Sequence, residues 1–156
     1  MKLGIYSLLF VFGLSAAIFA TAYRVQATLG ESTDSVKSDR EALSSVRSTL
    51  TVRKGYTVHE IESDSATVRE YVSPSGVVFA IAWNGLVHPD LTHLLGSYAS
   101  EYQRALKQTP RQPDRRRLRV KSDGVVVEKW GHMRNLQGRA YVPALIPPGV
   151  SVDEIE

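Results

Sequence analysis

The stretch Val77–Trp83, VVFAIAW, limits the possible folds more than any other part of the chain. Laid out as a strand, Val77, Phe79, Ile81 and Trp83 point to one side, and Val78, Ala80 and Ala82 to the other. A strand that is apolar on both sides is buried on both, so it is expected at the centre of a sheet. Two further runs precede it, Tyr56–Ile61 and Thr67–Val72. They are set apart by Glu62–Ala66 and Ser73-Pro74-Ser75-Gly76, both turn-like in composition. Tyr56, Val58 and Glu60 share one face of the first run, with Thr57, His59 and Ile61 opposite. Val68, Glu70 and Val72 share one face of the second, with Thr67, Arg69 and Tyr71 opposite. A mixed face on each strand predicts an antiparallel sheet covered on one side and wet on the other.

Before this meander, Ser38 and Glu41 have capping-box spacing, and Ala42, Leu43, Val46 and Leu50 fall on one helical face, which predicts a short N-terminal helix. After it, Leu91, Leu94, Leu95, Tyr98, Tyr102, Ala105 and Leu106 recur at helical spacing. The pattern predicts a long amphipathic helix over 89–107, with Pro89 at or near the first helical position and Asp90 in the first turn. Pro110 and Pro113 exclude regular structure over Thr109–Arg117. Leu118–Ser122 and Val125–Trp130 flank Asp123-Gly124, a two-residue hairpin turn that tolerates positive φ. Asn135–Gly138 is read as a turn, Arg139–Val142 as a last strand, and Pro143, Pro147 and Pro148 as the end of regular structure. The expected fold is α+β: a mostly antiparallel sheet of about six short strands, with the long helix packed on one face and a shorter N-terminal helix.

Residues 1–27 read as a targeting segment. Lys2 is followed by an uncharged, apolar run from Leu3 to Ala20, then by a shorter polar stretch. Small residues at the minus-three and minus-one sites fit signal-peptidase cleavage at Ala20-Thr21-Ala22 and at Val25-Gln26-Ala27. Cleavage after Ala27 leaves the more usual distance beyond the apolar core and is preferred here. The alternative is an uncleaved anchor, since Leu3–Tyr23 is close to the ~20 residues that span a bilayer. Either way residues 28–156 are expected as one exported domain, periplasmic or secreted, in contact with a membrane only if the segment stays uncleaved. Of 19 Lys and Arg, two (Lys2 and Arg24) lie in residues 1–27; the remaining 17 face 16 acids, a net of +1. The basic balance of the whole chain is therefore no nucleic-acid signature.

The chain has no cysteine, which excludes disulfides, thiolate metal sites and a cysteine nucleophile. There is no Gly-x-Ser-x-Gly elbow, the Gly13-Leu14-Ser15 near the start lying in the targeting segment, no phosphate-cradling loop and no dinucleotide fingerprint. No catalytic residue, cofactor or metal is expected. His88, Asp90 and His93 flank the long helix's start without a known ligand spacing, and helix-end charge explains them better. His59, Glu60, Arg69 and Glu70 sit on adjacent strands. Strand alternation lets His59 share a face with Arg69, and Glu60 with Glu70, a paired-carboxylate arrangement suited to acid–base chemistry. Cross-strand polar pairing is the plainer account. Arg111, Arg115, Arg116, Arg117 and Arg119 form a basic loop of +5 between Arg111 and Lys121. Its partners outside the cell would be anionic envelope components, and a solvated loop balanced by the acidic tail is the plainer account. Trp83, Trp130, Tyr71 and Tyr141 suit a sugar-stacking surface, but strand aromatics are more often core.

The blocks YTVHEI, VREYVSPSGVVFAIAW, PDLTHLLGSYASEY and GRAYVPALIPPGV with a following DEI, in this order, resemble a bacterial family of exported proteins, domain of unknown function 2844. The resemblance runs from Thr28-Leu29-Gly30 to Asp153-Glu154-Ile155. It implies an exported protein of no assigned activity and carries no catalytic residues. The functional expectation is a non-catalytic binding or accessory module of the cell envelope, contacting an envelope protein or an anionic envelope component and not nucleic acid. The alternatives are an envelope enzyme using His59, Glu60, Arg69 and Glu70, and an anionic-surface binder acting through the Arg111–Arg119 loop.

Overall fold

The computed structural model describes residues 29–32, 47–110 and 116–156. Among these residues, seven strands form one fully antiparallel sheet: β1 (Arg47–Arg53), β2 (Tyr56–Glu62), β3 (Ala66–Val72), β4 (Val78–Gly85), β5 (Arg117–Lys121), β6 (Val126–His132) and β7 (Asn135–Tyr141). Their spatial order is β1-β2-β3-β4-β7-β6-β5. A four-stranded and a three-stranded meander thus join along β4 and β7, and β4 is central as its double apolar character predicts.

The seventh strand, β1, is a correction. Leu50, read as the last apolar residue of an N-terminal helix, lies instead in this edge strand and is 59% exposed. Thr49, Thr51 and Val52 are β-branched and favour a strand, and Gly55, at φ +90°, turns the chain directly back into β2. The remainder of that expected helix, and the cleavage site at Ala27, lie outside the described residues.

The alternation along β4 is also corrected. Tyr71 pairs with Ala80 and Val72 with Val78, so Phe79 is an extra, bulged residue. The bulge moves Phe79 to the side of Ala80 and Ala82, while Val78 joins Ile81 and Trp83. Every residue from Val77 to Trp83 is apolar, so a one-residue shift leaves no trace in the pattern. The last turn moves too: Met133-Arg134, with Arg134 at φ +67°, closes the β6–β7 hairpin, and Asn135–Gly138 belongs to β7. Asp123-Gly124 closes β5–β6 as expected, although neither residue has positive φ.

The helical stretch Leu91–Gln108 crosses one face of the sheet in segments: α1 (Leu91–Leu95), a 3₁₀ turn (Gly96–Tyr98) and α2 (Ala99–Gln108). The long helix that the stripe predicts is present, and Gly96, at φ +49°, starts a 3₁₀ turn within it. Asp90 is the N-cap rather than a first-turn residue; its side chain accepts from the Thr92 N–H at 2.8 Å. Leu91, Leu94, Leu95, Ala99 and Tyr102 pack on Val68, Ile81, Trp83, Val120 and Val127. Leu29, fully buried, adds to this layer, its N–H bonded to the Leu94 carbonyl.

The opposite face is not wet, as the mixed strands had suggested. Tyr56, Tyr71, Phe79, Ala80, Ala82, Val126 and Tyr141 form a second core there, covered by the C-terminal segment with Ile155 fully buried. The prolines that end β7 direct the chain back over this face.

Candidate functional site

The register places one residue from every strand in a row across the covered face: Thr49, Glu60, Arg69, Ala82, Arg139, Glu128 and Arg119. Five of the seven are ion-paired to a neighbour. Arg69 Nε donates to Glu60 at 2.5 Å, and Arg139 Nε donates to Glu128 at 2.6 Å. Arg119 meets the other oxygen of Glu128 at 3.2 Å. Directly opposed residues of antiparallel strands have their Cβ atoms ~5 Å apart, close enough for such pairs to form without distortion.

Ala82, at the middle of the row, has only a methyl group. Above that gap lies the C-terminal segment, shaped by a 3₁₀ turn over Val152–Glu154 with a capping box between Ser151 and Glu154. The two arginines turn their Nη1 groups onto its backbone. Arg139 donates to the carbonyls of Val152 at 2.8 Å and Ile155 at 3.3 Å, and Arg69 to the main-chain oxygen of Glu156 at 3.2 Å. The Tyr71 hydroxyl donates to the Glu156 main-chain oxygen and accepts from the Glu156 N–H, at 2.8 and 3.0 Å. Tyr56 donates to Glu154 at 3.2 Å. Burial pushes the phenols of Tyr56 and Tyr71 above their usual range, and for Tyr56 the Glu154 carboxylate adds to the effect.

A groove opens on each side of this segment. One, of about 590 Å³, is lined by Arg53, Tyr56, Val58, Glu60 and Arg69 of the sheet. The other, of about 540 Å³, is lined by Arg69, Asn84, Arg117, Trp130, Gln137 and Arg139. In the second, the guanidinium groups of Arg117 and Arg139 lie 5.6 and 5.8 Å from the Trp130 ring centroid, within cation–π range. Gln137 Oε1 accepts from the Trp130 indole N–H at 2.8 Å, fixing the ring edge-on to β7.

The residues singled out in the sequence are divided by this geometry. Glu60 and Arg69 face each other on the covered side. His59 and Glu70 face each other on the helix side, where Glu70 is fully buried and burial lowers the His59 pKa. The pairing of His59 with Arg69 and of Glu60 with Glu70 is therefore corrected. The two-residue turn Asp64-Ser65, closed by Ser63 and Ala66, sets a register in which Glu60 meets Arg69. The four residues share no site, and the paired carboxylates lie on opposite faces.

The basic cluster is corrected as well. Arg117 and Arg119 belong to β5, not to a loop, because Arg-Leu-Arg-Val-Lys alternates as a strand. Arg116 is exposed beside them, and Arg111 and Arg115 lie outside the described residues. Trp83 is core, as are Tyr71 and Tyr141, whereas Trp130 is half-buried at a groove. His88 Nδ1 accepts from the Trp83 indole, and Asp90 lies 3.5 Å from His93. Among the described residues, no group of three or more His, Asp or Glu is placed to hold a metal ion, and no helix is long and apolar enough to cross a membrane.

Glu128 and Arg139 were not singled out in the sequence, and the acidic tail was read only as a balance for the basic loop. The signal was present: the acid of Val-Val-Glu-Lys-Trp interrupts an apolar strand face between Val126 and Trp130, and the base of Gly-Arg-Ala-Tyr precedes Tyr141 on its own face. Placing the turn at Asn135–Gly138 removed the register that pairs them.

No curated protein and no solved structure matches the chain. A family model described as Protein of unknown function (DUF2844) matches residues 25–155. The match takes in all seven strands, the helices and the returning segment up to Ile155, and with it the chain belongs to that family.

Proposed function

We propose that the protein is an exported, non-catalytic binding module of the cell envelope, whose ligand surface is the groove beside Trp130. One observation carries this reading: Arg117 and Arg139 flank a half-buried tryptophan at the edge of an open groove that also presents Asn84 and Gln137. Guanidinium groups and amides around an aromatic ring suit a ligand with carboxylate or other anionic groups. Arg116 and Arg117 are exposed at the same edge and extend the positive rim outward. Separation of His59 and Glu70 from Glu60 and Arg69 favours binding over acid–base chemistry at those positions. Export rests on the charge and apolar pattern of residues 1–27, followed at once by Leu29 in the core.

The test is capture from envelope fractions with mild cross-linking, comparing the native protein with Arg117→Glu, alongside intact mass of the secreted or periplasmic product. A product beginning at Thr28, and a constant partner lost with Arg117→Glu, are expected. Equal recovery with the variant removes the groove from the proposal, and a full-length membrane-bound product removes cleavage. Binding to an anionic envelope component also predicts weakening as salt rises.

A further inference from the structure

The two grooves share Arg69, Asp153 and Glu156 as boundaries, so the C-terminal segment is the wall between them. Among the described residues, the backbone–backbone hydrogen bonds made by the N–H groups of this segment stay within it: Val150 to Pro147, Glu154 to Ser151 and Ile155 to Val152. Its polar ties to the sheet face run through the side chains of Arg69, Arg139, Tyr71 and Tyr56. Lifting it would break no rung of the sheet.

We infer that Ser151–Glu156 is a removable partition, and that the continuous groove beneath it receives an acidic peptide of a partner protein. This deepens the proposed binding role and rests on it. The resident segment shows the chemistry that fits: two aliphatic side chains, Ile155 fully buried in the second core and Val152 packed against it, with the Val152 and Ile155 carbonyls held by Arg139, the Glu156 main-chain oxygen held by Arg69, and acids on either side. Removing the segment takes three carboxylates, Asp153, Glu154 and Glu156, away from the face. The opened groove then presents Arg53, Arg69, Arg117 and Arg139 against Glu60 and Glu128, a net positive track for an acidic peptide. A peptide is favoured over other anions because Arg139 Nη1 is aimed at the backbone carbonyls of Val152 and Ile155.

The test uses the full chain and a fluorescent peptide of sequence Ser-Val-Asp-Glu-Ile-Glu. In the Ile155→Asp variant the resident segment loses its apolar anchor. The peptide is expected to bind that variant at least tenfold more tightly than the native chain, more weakly as salt rises, and not at all when its own Ile is replaced by Asp. In the native chain, the Ile155 amide is expected to exchange hydrogen at least a hundredfold faster than that of Ile81 in β4. Equal or absent peptide binding to both chains, an Ile155→Asp chain that no longer folds, or Ile155 protection equal to that of Ile81 would each overturn the inference. Envelope capture can still succeed in any of those cases, so failure here is separable from failure of the binding role.

Discussion

The Trp83 indole N–H donates to Nδ1 of His88 at 2.9 Å, with the two rings edge to face. An accepting Nδ1 requires the neutral tautomer protonated at Nε2. Burial, and then the nearby Lys129 charge, lower the His88 pKa below the usual 6.5. His59 is lowered in the same direction by burial. A histidine depressed in the fold binds protons more readily when unfolded, so its stabilising effect is complete above 6.5 and is lost as pH falls through the folded value. Thermal melts between pH 8 and 5 should show falling stability below pH 6.5. His88→Asn, which keeps an acceptor and does not titrate, should shrink that fall to the share owed to His59. An unchanged slope would remove His88 as its source.

Glu128 and Arg119 predict opposite responses within one cluster. The Glu128 side chain is 9% exposed and Arg139 beside it 16%, whereas Arg119 is 60% exposed. Removing one partner of a buried ion pair leaves an uncompensated charge, and Glu128→Ala should cost about 3 kcal/mol. Arg119→Ala breaks a solvent-screened pair and should cost less than about 1 kcal/mol. Urea unfolding of both variants checks the ordering, and equal costs would contradict this account of the row.

Glu101 ties α2 to the β5–β6 turn by accepting from the Gly124 N–H at 2.7 Å. That bond, followed by one from Ser122, holds the carboxyl below the usual 4.5. The stabilisation is present above 4.5 and is lost as pH falls through the lower folded value. Glu101→Ala should therefore lower the melting temperature at pH 7 and leave it nearly unchanged at pH 2.

Gly138 lies under the Trp83 ring. A Cβ there would overlap ring atom Cζ2 and the Glu128 carbonyl oxygen. Gly138→Ala should cost about 3 kcal/mol or more by overpacking. Gly149, at φ +84° with open space around it, is a different case. Gly149→Ala should cost only the backbone strain, about 1 kcal/mol. Chemical denaturation of the pair separates crowding from strain.

Much of this fold was legible because its turns are short and its apolar runs distinct. The centrality of Val77–Trp83, the stripe from Leu91 to Leu106 and the Asp123-Gly124 hairpin all follow from local chemistry. What was not legible depended on register. A bulge at Phe79 is invisible in an all-apolar run, and the Glu60–Arg69 and Glu128–Arg139 pairs need turns located to the residue. Leu50 fitted a helical stripe and a strand equally well, and pairing with β2 decided between them. The C-terminal segment could not be placed, because nothing local in Val-Asp-Glu-Ile says which surface will bury its isoleucine.

The joining of the two meanders at β4 and β7 has a consequence for how the chain assembles. Every other strand pairing is a hairpin that can close over a few residues, but Gly85 meets Leu136 and Ala80 meets Tyr141 only after the helix and the β5–β6 hairpin have been spanned. Closing so long an interval costs chain entropy before any contact repays it. The seam is thus where the search for the native topology is slowest, and substitutions along it should retard folding more than equally destabilising ones in the hairpins.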